Sequence, residues 1–269
     1  MYSKFKIQRI RKKGTEIQIE ANIEDDVVLE TPIHIFINQK IFITLIASPK
    51  DQIALAWGHL FSEGLIKSKK EIEQLIITDN QINIQSSSLE SRLKAYNQTR
   101  IITTQCGATG DYLRLLDSLK RPIVQSSYTL SIHKPFDYHS FFREHSEAHS
   151  TTGGTHFSAI ITQDNRVIGA EDVSRHNCVD KVIGKVILES NQPEKVFSNS
   201  VLLTTGRIPA DMLLKAARSN IPIIVSRSAP TDSAICLAES LNITLIGFLR
   251  GHRYNIYSHR ERIIEKSQS

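Results

Sequence analysis

The last third of the chain alternates short apolar runs with helical patterns, and this alternation restricts the fold more than any other feature of the sequence. Apolar runs typical of buried strands lie at 201–204, 221–225 and 243–248, and helical patterns at 210–218 and 233–241 separate them. Two successive β-α-β units place their strands parallel in one sheet and their helices against it. The sequence therefore predicts an α/β fold with a mostly parallel sheet and flanking helices.

Each of these predicted strands runs into a loop that contains arginine next to small or hydroxyl-bearing residues. Ligands of such sheets bind beyond the carboxyl ends of the strands. Guanidinium and backbone N–H groups bind phosphate, so the loops predict a site for an anionic ligand. The loop residues are Thr205, Gly206, Arg207, Ser226, Arg227, Ser228, Arg250, Gly251, His252 and Arg253. The loops have neither a G-x-G-x-x-G fingerprint nor a Walker A lysine, which argues against a dinucleotide fold or a P-loop.

A dense run of charged and polar residues between positions 169 and 184, which we call the charged cluster, marks a second candidate site. Its members are Glu171, Asp172, Arg175, His176, Asn177, Asp180 and Lys181. We expect a strand to deliver these side chains to the N-terminus of a helix, with Asn177 as the cap and Asp180 in the first turn. Such an arrangement builds a ligand or reaction site. A salt-bridged surface loop is the alternative interpretation.

Two adjacent glycines, Gly153 and Gly154, precede His156 and the apolar run 157–161. A loop of this kind lets the backbone approach a ligand closely, although a plain turn fits the pattern equally well. A turn at residues 164–165 then leads the chain back to the charged cluster. We therefore expect His156 to share one β-hairpin-and-helix unit with that cluster.

The three cysteines are Cys106, Cys178 and Cys236, an odd number without paired spacing, which argues against a disulfide framework. Cys106 stands in a glycine-containing segment just before a helical pattern at 111–119, where the helix N-terminus favours a nucleophilic thiolate. Cys178 and Cys236 lie within apolar helical patterns. Cys106 is therefore the candidate reactive cysteine, and an inert loop cysteine is the alternative.

The histidines give no strong indication of a metal site. His145 and His149 are four positions apart, a spacing that can place both on one helix face. A metal site needs further ligands, and the sequence has neither a Cys-x-x-Cys pair nor a His-Glu-x-x-His motif. We therefore predict no bound metal and interpret these histidines as solvated helix residues.

Composition and charge narrow the class of protein. The net charge of +5 favours an anionic ligand but is too small to indicate nucleic-acid binding. No apolar run approaches the ~18 residues of a membrane span, and the first residues lack the apolar segment of a signal peptide. We therefore expect a cytoplasmic protein that binds neither nucleic acid nor membrane.

The first part of the chain is expected to be rich in β structure. Strand patterns lie at 4–11, 16–21 and 33–46, the last with a turn at Asn38–Gln39. A helix is predicted at 49–62, with Ser48 as its cap. We therefore divide the chain into a β-rich region with a capped helix, residues 1–100, and an α/β domain that carries the site, residues 101–269.

The sequence resembles the FdhD family, the formate dehydrogenase accessory sulfurtransferases, over about residues 47–257. The motifs that carry the resemblance are 47–51, 61–66, Cys106-Gly107, 152–156, Glu171-Asp172, Arg175-His-Asn177, Asp180-Lys181, 226–229 and 247–253. Together these motifs are highly specific to the family.

The resemblance implies a cytidine-deaminase-like fold for the α/β domain, and a homodimer. It also implies a sulfurtransferase that passes persulfide sulfur from a cysteine desulfurase to the bis-molybdopterin guanine dinucleotide cofactor. The cofactor is then a bound substrate, which formate dehydrogenase receives afterwards. No tightly bound metal of the protein's own is implied.

The family motifs carry over residue by residue. Cys106 matches the cysteine expected to hold the persulfide, and Phe248, Leu249, Arg250, Gly251, His252 and Arg253 match the segment expected to contact the cofactor. The other residues that we expect to bind or surround the cofactor are Arg207, Arg227, Gly153, Gly154, His156, Glu171, Asp172 and His176.

Two departures from the family pattern affect the mechanism. Many members have a second cysteine three residues after the first, where this chain has Thr109, so a mechanism that needs a cysteine pair cannot operate here. A family glycine is replaced by Ser174, which is tolerable unless that residue needs a positive φ.

Two other functions remain as alternatives. A zinc deaminase fits the implied fold, but its His-x-Glu and Pro-Cys-x-x-Cys ligands are missing. A non-catalytic chaperone that binds the molybdenum cofactor would retain the arginine loops and would make Cys106 dispensable.

Overall fold

The computed structural model describes residues 1–93 and 123–265. Cys106, Thr109 and the predicted helix at 111–119 lie outside the described residues. The strands are β1 (Tyr2–Lys13), β2 (Glu16–Val28), β3 (Thr31–Ile37), β4 (Lys40–Ala47), β5 (Gln74–Thr78), β6 (Gln81–Gln85), β7 (Leu130–Ser131), β8 (His156–Thr162), β9 (Val167–Asp172), β10 (Ser200–Thr204), β11 (Ile223–Ser226), β12 (Thr244–Arg250), β13 (Arg253–Ser258) and β14 (Ile263–Ile264). The helices are α1 (Gln52–Ser62), α2 (Lys134–Glu144), α3 (Glu147–Thr152), α4 (Arg175–Glu189), α5 (Pro193–Ser198), α6 (Ala210–Arg218) and α7 (Asp232–Leu241), with 3₁₀ turns at Lys69–Glu71 and Arg260–Arg262.

A six-stranded sheet in the order β13-β12-β11-β10-β8-β9 forms the centre of the molecule. Strands β10, β11 and β12 are parallel, as the β-α-β pattern predicts, and the remaining pairs are antiparallel. The sheet is therefore mixed, with its parallel strands in the interior. The predicted α/β fold with flanking helices is confirmed.

Helices cover both faces of this sheet. On β10, Val201 and Leu203 belong to the apolar cluster that contains Tyr138 of α2, whereas Leu202 belongs to the larger cluster that contains Leu213 of α6. All five residues of β10 are buried. A strand covered on both faces is apolar throughout rather than alternating, which explains the continuous apolar runs in the sequence.

The predicted β-rich N-terminal part is confirmed. Strands β1 and β2 form a long hairpin, and a separate sheet has the order β4-β3-β6-β5. The β3–β4 turn at Asn38 and Gln39 has positive φ at both residues, +48° and +66°, as a two-residue hairpin turn requires. Ile35 on the inner face of this sheet shares one apolar cluster with Val182 of α4. Residue 100, where we divide the chain, lies outside the described residues.

Helix α1 begins later than predicted, at Gln52 instead of residue 49. Ser48 does not cap it, because the Ser48 hydroxyl accepts a hydrogen bond from the Val173 N–H at 3.2 Å. Asp51 occupies the N-cap position without a side-chain cap. Within the described residues, no helix is long and apolar enough to cross a membrane.

Helices α1 and α4 cross at two glycines. A Cβ atom on Gly58 would lie 1.7 Å from the Asp180 carbonyl oxygen, and one on Gly184 would lie 1.8 Å from that of Ala54. Only glycine permits this approach, since real Cβ atoms do not come within 3.0 Å of such atoms. The crossing fixes α4, whose first turn reaches the candidate site.

Candidate functional site

A cleft of about 400 Å³ lies at the carboxyl ends of the parallel strands. Its wall combines the glycine loop before β8 with the loops that follow β10 and β11 and with the end of β12. The lining residues are His149, Gly153, Gly154, Thr155, His156, Thr205, Arg227, Ser228 and Arg250. Five of the expected cofactor-binding residues are thus brought together: Gly153, Gly154, His156, Arg227 and Arg250.

A β-bulge directs Arg250 towards the cleft. The register of β12 against β13 shifts between Gly247 and Arg250, and Phe248 has a φ of +52°. A bulky residue seldom adopts this conformation, and bulges commonly redirect side chains next to functional sites. The Phe248 N–H donates to the Ser228 carbonyl at 3.1 Å. The Arg250 guanidinium in turn donates to the Arg227 carbonyl, so the two arginine loops are held together.

Serine hydroxyls join the ends of β10 and β11. Ser226 Oγ donates to the Gly206 carbonyl at 2.7 Å, and Ser228 Oγ donates to the Thr205 carbonyl at 2.8 Å. The same Ser226 oxygen accepts from the Ser228 N–H at 2.8 Å. These bonds explain why hydroxyl-bearing residues accompany the arginines in the sequence. They fix the loops before any ligand binds.

His156 begins β8 and lies in the wall of the cleft. Its Nδ1 atom is 3.3 Å from Thr205 Oγ1. Burial lowers the pKa of His156, and the nearby Arg175, His149 and His176 lower it further. The imidazole is therefore neutral at neutral pH, when it can donate one hydrogen bond and accept another.

Glu171 supports the cleft from behind. One carboxylate oxygen accepts from the Ala148 N–H at 3.0 Å, and the other accepts from the His149 N–H at 2.8 Å and from the Thr155 hydroxyl at 3.0 Å. A carboxylate at the first turn of a helix satisfies backbone donors that would otherwise lack partners. Glu171 therefore positions His149 and Thr155 instead of lining the cleft itself.

The prediction that Asp172 binds the cofactor is wrong, because its side chain does not reach the cleft. Its side chain is completely buried and forms an ion pair with Lys181 at 2.6 Å. The carboxylate also accepts from the backbone N–H groups of Ser48 and Ser174 at 3.0 and 2.9 Å, and from the Asn177 amide at 3.1 Å. These four partners surround it, so it holds the turn between β9 and α4.

Asp180 belongs to a second buried network. Its carboxylate accepts from Lys215 Nζ at 2.7 and 2.9 Å and from the Ser62 hydroxyl at 2.8 Å, and it lies 3.0 Å from His59 Nδ1. Neither interpretation of the charged cluster, a ligand site or a surface loop, fits Asp172, Asp180 or Lys181. These residues are a buried scaffold. Asn177 is likewise not the cap of α4, since Ser174 holds that position.

Besides Glu171, two further members of the charged cluster lie near the cleft, Arg175 and His176. His176 Nε2 is 3.0 Å from an oxygen of Asp211, a residue that the sequence did not single out. Burial opposes ionisation of Asp211, but His176 and Lys215 outweigh it, so the pKa of Asp211 is lowered. His149 was also missed as a lining residue, and its closeness to Gly153 is the only signal that points to it. Thr155 was not among the expected cofactor-binding residues, although it lies in the family motif 152–156.

The other expected cofactor-binding residues do not line the cleft. Leu249 is completely buried in the apolar cluster beneath the sheet, so its side chain is not accessible to a ligand. Phe248 is half-buried. The exposed residues are Arg207, Gly251, His252 and Arg253. A second cavity, of about 440 Å³, lies near the β8–β9 turn and α5, and contains none of the predicted site residues.

Residues 1–93 and 123–265 contain two free cysteines, Cys178 and Cys236. Cys178 is buried and donates to the His156 carbonyl at 3.2 Å, and burial raises its thiol pKa well above the usual value. Cys236 is exposed.

No three His, Cys, Asp or Glu side chains in the described residues are arranged to bind a metal ion. His145 and His149 do not share a helix face, because His145 follows α2 and His149 lies in α3.

The fold and the site define an α/β protein with an arginine- and histidine-lined cleft at the carboxyl ends of its parallel strands. Comparison with known families then identifies the group to which it belongs. The profile of the FdhD/NarQ family matches residues 28–264, and the chain belongs to this family.

Individual relatives cover nearly the whole chain. A sulfur carrier protein FdhD from Sulfolobus acidocaldarius is 33% identical over 262 residues, which are 96% of this chain and 98% of that protein. A protein of the same description from Staphylococcus aureus strain Newman is 34% identical over 250 residues, 92% of each chain. A crystal structure assigned as a formate dehydrogenase accessory protein from Desulfotalea psychrophila is 25% identical, with a TM-score of 0.72 over 97% of this chain and 99% of that one.

Proposed function

We propose that this protein is a sulfur carrier for formate dehydrogenase. In this proposal Cys106 receives sulfane sulfur from a cysteine desulfurase, and the protein passes it to the bis-molybdopterin guanine dinucleotide cofactor bound in the cleft. The transferred sulfur gains two electrons, which the cofactor in its reduced form would supply, and Cys106 leaves as a thiolate. The protein would work as a cytoplasmic homodimer. The observation that carries the proposal is the cleft, which joins two arginines, two histidines and a glycine loop at one end of the sheet.

The chemistry of the cleft suits the phosphate groups of a dinucleotide. Arg227 and Arg250 supply guanidinium groups, which bind phosphate oxygens in pairs. Gly153 has open space where a side chain would stand, so its backbone is accessible to a ligand, and neutral His156 offers a hydrogen bond to a sugar or a base. A cleft of about 400 Å³ is of the size of a small-molecule site and would hold one phosphate-bearing portion of the cofactor.

The loading step needs one thiolate and no added oxidant. The Cys106 thiolate attacks the terminal sulfur of the desulfurase persulfide, and the sulfur–sulfur bond of the donor breaks. The desulfurase cysteine leaves as a thiolate while a new sulfur–sulfur bond forms on Cys106, so no net oxidation occurs. Among the other two cysteines, Cys178 is buried and Cys236 is exposed. Cys236 is therefore the proper control.

Intact-mass analysis after incubation with a cysteine desulfurase and cysteine tests the proposal. The wild type and the Cys236→Ser variant are expected to gain one sulfur atom, and Cys106→Ser is expected to gain none. Circular dichroism checks that each variant is folded. A sulfur adduct that persists in Cys106→Ser would contradict the proposal. Absence of any adduct on the folded wild type would favour the cofactor-binding chaperone instead.

A further inference from the structure

Arg175 lies beside the cleft, and within residues 1–93 and 123–265 its guanidinium group has no hydrogen-bond or ion-pair partner. Its Nε atom is buried and makes no hydrogen bond. No ion pair joins Arg175 to any carboxylate in residues 1–93 and 123–265, whereas Nε2 of its neighbour His176 lies 3.0 Å from an Asp211 oxygen. The side chain as a whole is only partly buried, but its buried Nε donor lacks an acceptor, which costs free energy until one binds. An anion bound next to Arg175 would supply the missing acceptor and a counterion.

The position of Arg175 connects it to the ligand site. Its side-chain stem lies on Gly206, where an added Cβ would be 2.8 Å from Arg175 Cβ and 2.9 Å from its Cδ. Gly206 directly follows Thr205, a lining residue of the cleft. Arg175 is also close enough to His156 to lower the pKa of that imidazole. The stem of Arg175 thus lies against the loop that follows the carboxyl end of β10.

The backbone around Arg175 favours the same kind of ligand. Arg175 is the first residue of α4, a helix of 15 residues, and the N-cap residue Ser174 makes no side-chain cap. The first N–H groups of a helix have no partner within it, and with the helix dipole they attract anions. A guanidinium and a helix N-terminus together resemble the phosphate sites of many α/β proteins.

We propose that Arg175 and the N-terminus of α4 form an anion subsite of the cleft, separate from Arg227 and Arg250, that takes a phosphate group of the ligand. This subsite rests on the proposed binding of a diphosphate-containing cofactor and adds a residue that binds it. The stem of Arg175, held against Gly206, keeps the guanidinium in place before the ligand arrives.

Titration calorimetry of the full-length protein with inorganic pyrophosphate at low salt tests the subsite. The wild type is expected to bind, and Arg175→Met is expected to bind about tenfold more weakly or worse, because a hydrogen-bonded charge is removed. The matched control is Arg260→Met, which removes the same charge from an exposed residue. Arg260 follows His259, whose carbonyl accepts from the Thr244 hydroxyl at the amino end of β12, away from the cleft.

Unfolding by urea separates ligand binding from folding. The Arg175 guanidinium has no hydrogen-bond or ion-pair partner within residues 1–93 and 123–265. Arg175→Met should therefore leave the free energy of unfolding unchanged or raise it. Lower stability of the variant would overturn the proposal, since it would mean that the chain itself pairs with the guanidinium. Equal pyrophosphate affinity of wild type and Arg175→Met, or no binding by the wild type, would also overturn it.

The outcome is distinguishable from a failure of the proposed function. If Arg227→Met weakens pyrophosphate binding and Arg175→Met does not, the cleft stands and the subsite is wrong. Sulfur loading of Cys106 is measured without pyrophosphate, so failed loading counts against the carrier and not against the subsite.

Discussion

Asp180 and Lys181 are neighbours on α4, and both are buried, yet they pair in different directions. Asp180 binds Lys215 of α6, whereas Lys181 binds Asp172 at the end of β9 and donates to the Ser48 carbonyl at 3.0 Å. Each buried charge thus has an opposite charge and further hydrogen bonds, the condition under which buried ions are tolerated. Two adjacent residues therefore link α4 to elements on both sides of it.

The Asp180 network should be visible in the dependence of stability on pH. Burial alone would raise the pKa of Asp180, but Lys215 and His59 outweigh it and hold the pKa well below its usual range. A carboxyl group with a lowered folded-state pKa stabilises the protein above its unfolded-state pKa of about 4 and loses this contribution as the pH falls. We expect Asp180→Asn to lower the free energy of unfolding by about 3 kcal/mol at neutral pH, because Lys215 then loses its nearest counterion and is left with Glu63 at 3.7 Å.

Urea unfolding at neutral pH and at about pH 3 measures this effect, and the difference between wild type and variant should shrink in acid. The control is Asp25→Asn, which removes an exposed ion pair with Arg9 and should lower stability by at most about 1 kcal/mol. A difference between wild type and Asp180→Asn that stays constant with pH would contradict the assigned role of this carboxylate.

At the scale of elements, the crossing of α1 and α4 determines where the first turn of α4 lies. The crossing depends on Gly58 and Gly184, where each helix backbone touches the other. The first turn of α4 carries Arg175 and His176 to the cleft. A small change at the crossing, far from the cleft along the helix, should therefore disturb both packing and binding.

Gly184→Ala is expected to destabilise the protein by about 3 kcal/mol or more, because the new methyl group has no room next to the Ala54 carbonyl and the helices must separate. Thermal and urea unfolding measure the loss. Gly251→Ala adds the same methyl group where the nearest atom is 3.9 Å away and should change stability little. Similar stabilities of the two variants would show that the helices separate easily.

Sequence patterns predicted the elements well and the charged cluster poorly, for a physical reason. The β-α-β units, the β3–β4 hairpin and the α6 bounds follow from local periodicity and turn residues, which the chain carries in short windows. The partners of the charged cluster are distant, since Ser48 and Asp172 are 124 residues apart and His59 and Asp180 are 121 apart. No local pattern distinguishes a buried ion pair from an exposed one.

The cleft was partly predictable for a related reason. The rule that ligands bind beyond the carboxyl ends of parallel strands correctly brought Arg227 and Arg250 together. It could not tell that Leu249 points into the core, or that a bulge at Phe248 turns Arg250 towards the Arg227 loop. These details depend on side-chain packing between strands and not on the order of elements.

At the scale of the whole molecule, the N-terminal region supports the ligand site instead of lying apart from it. Ser48, just after β4, bonds to Asp172, Val173 and Lys181 through its N–H, hydroxyl and carbonyl groups. Asn177 of α4 donates to the Ile46 carbonyl at 2.8 Å. The turn between β9 and α4, which carries Arg175 towards the cleft, is thus fixed from the N-terminal side, and the described regions share one apolar core.

The most direct test of the proposed sulfur transfer follows labelled sulfur from the desulfurase, through the protein, to the cofactor. The protein is loaded by a cysteine desulfurase with radioactive cysteine sulfur and freed of the donor. It is then mixed with reduced bis-molybdopterin guanine dinucleotide, which supplies the two electrons of the transfer, and the cofactor is isolated and counted. We expect label on the cofactor from wild type and Cys236→Ser, little from Arg227→Met, and none from Cys106→Ser. Label delivered equally by Cys106→Ser, or label that stays entirely on the loaded wild type, would contradict the proposed transfer.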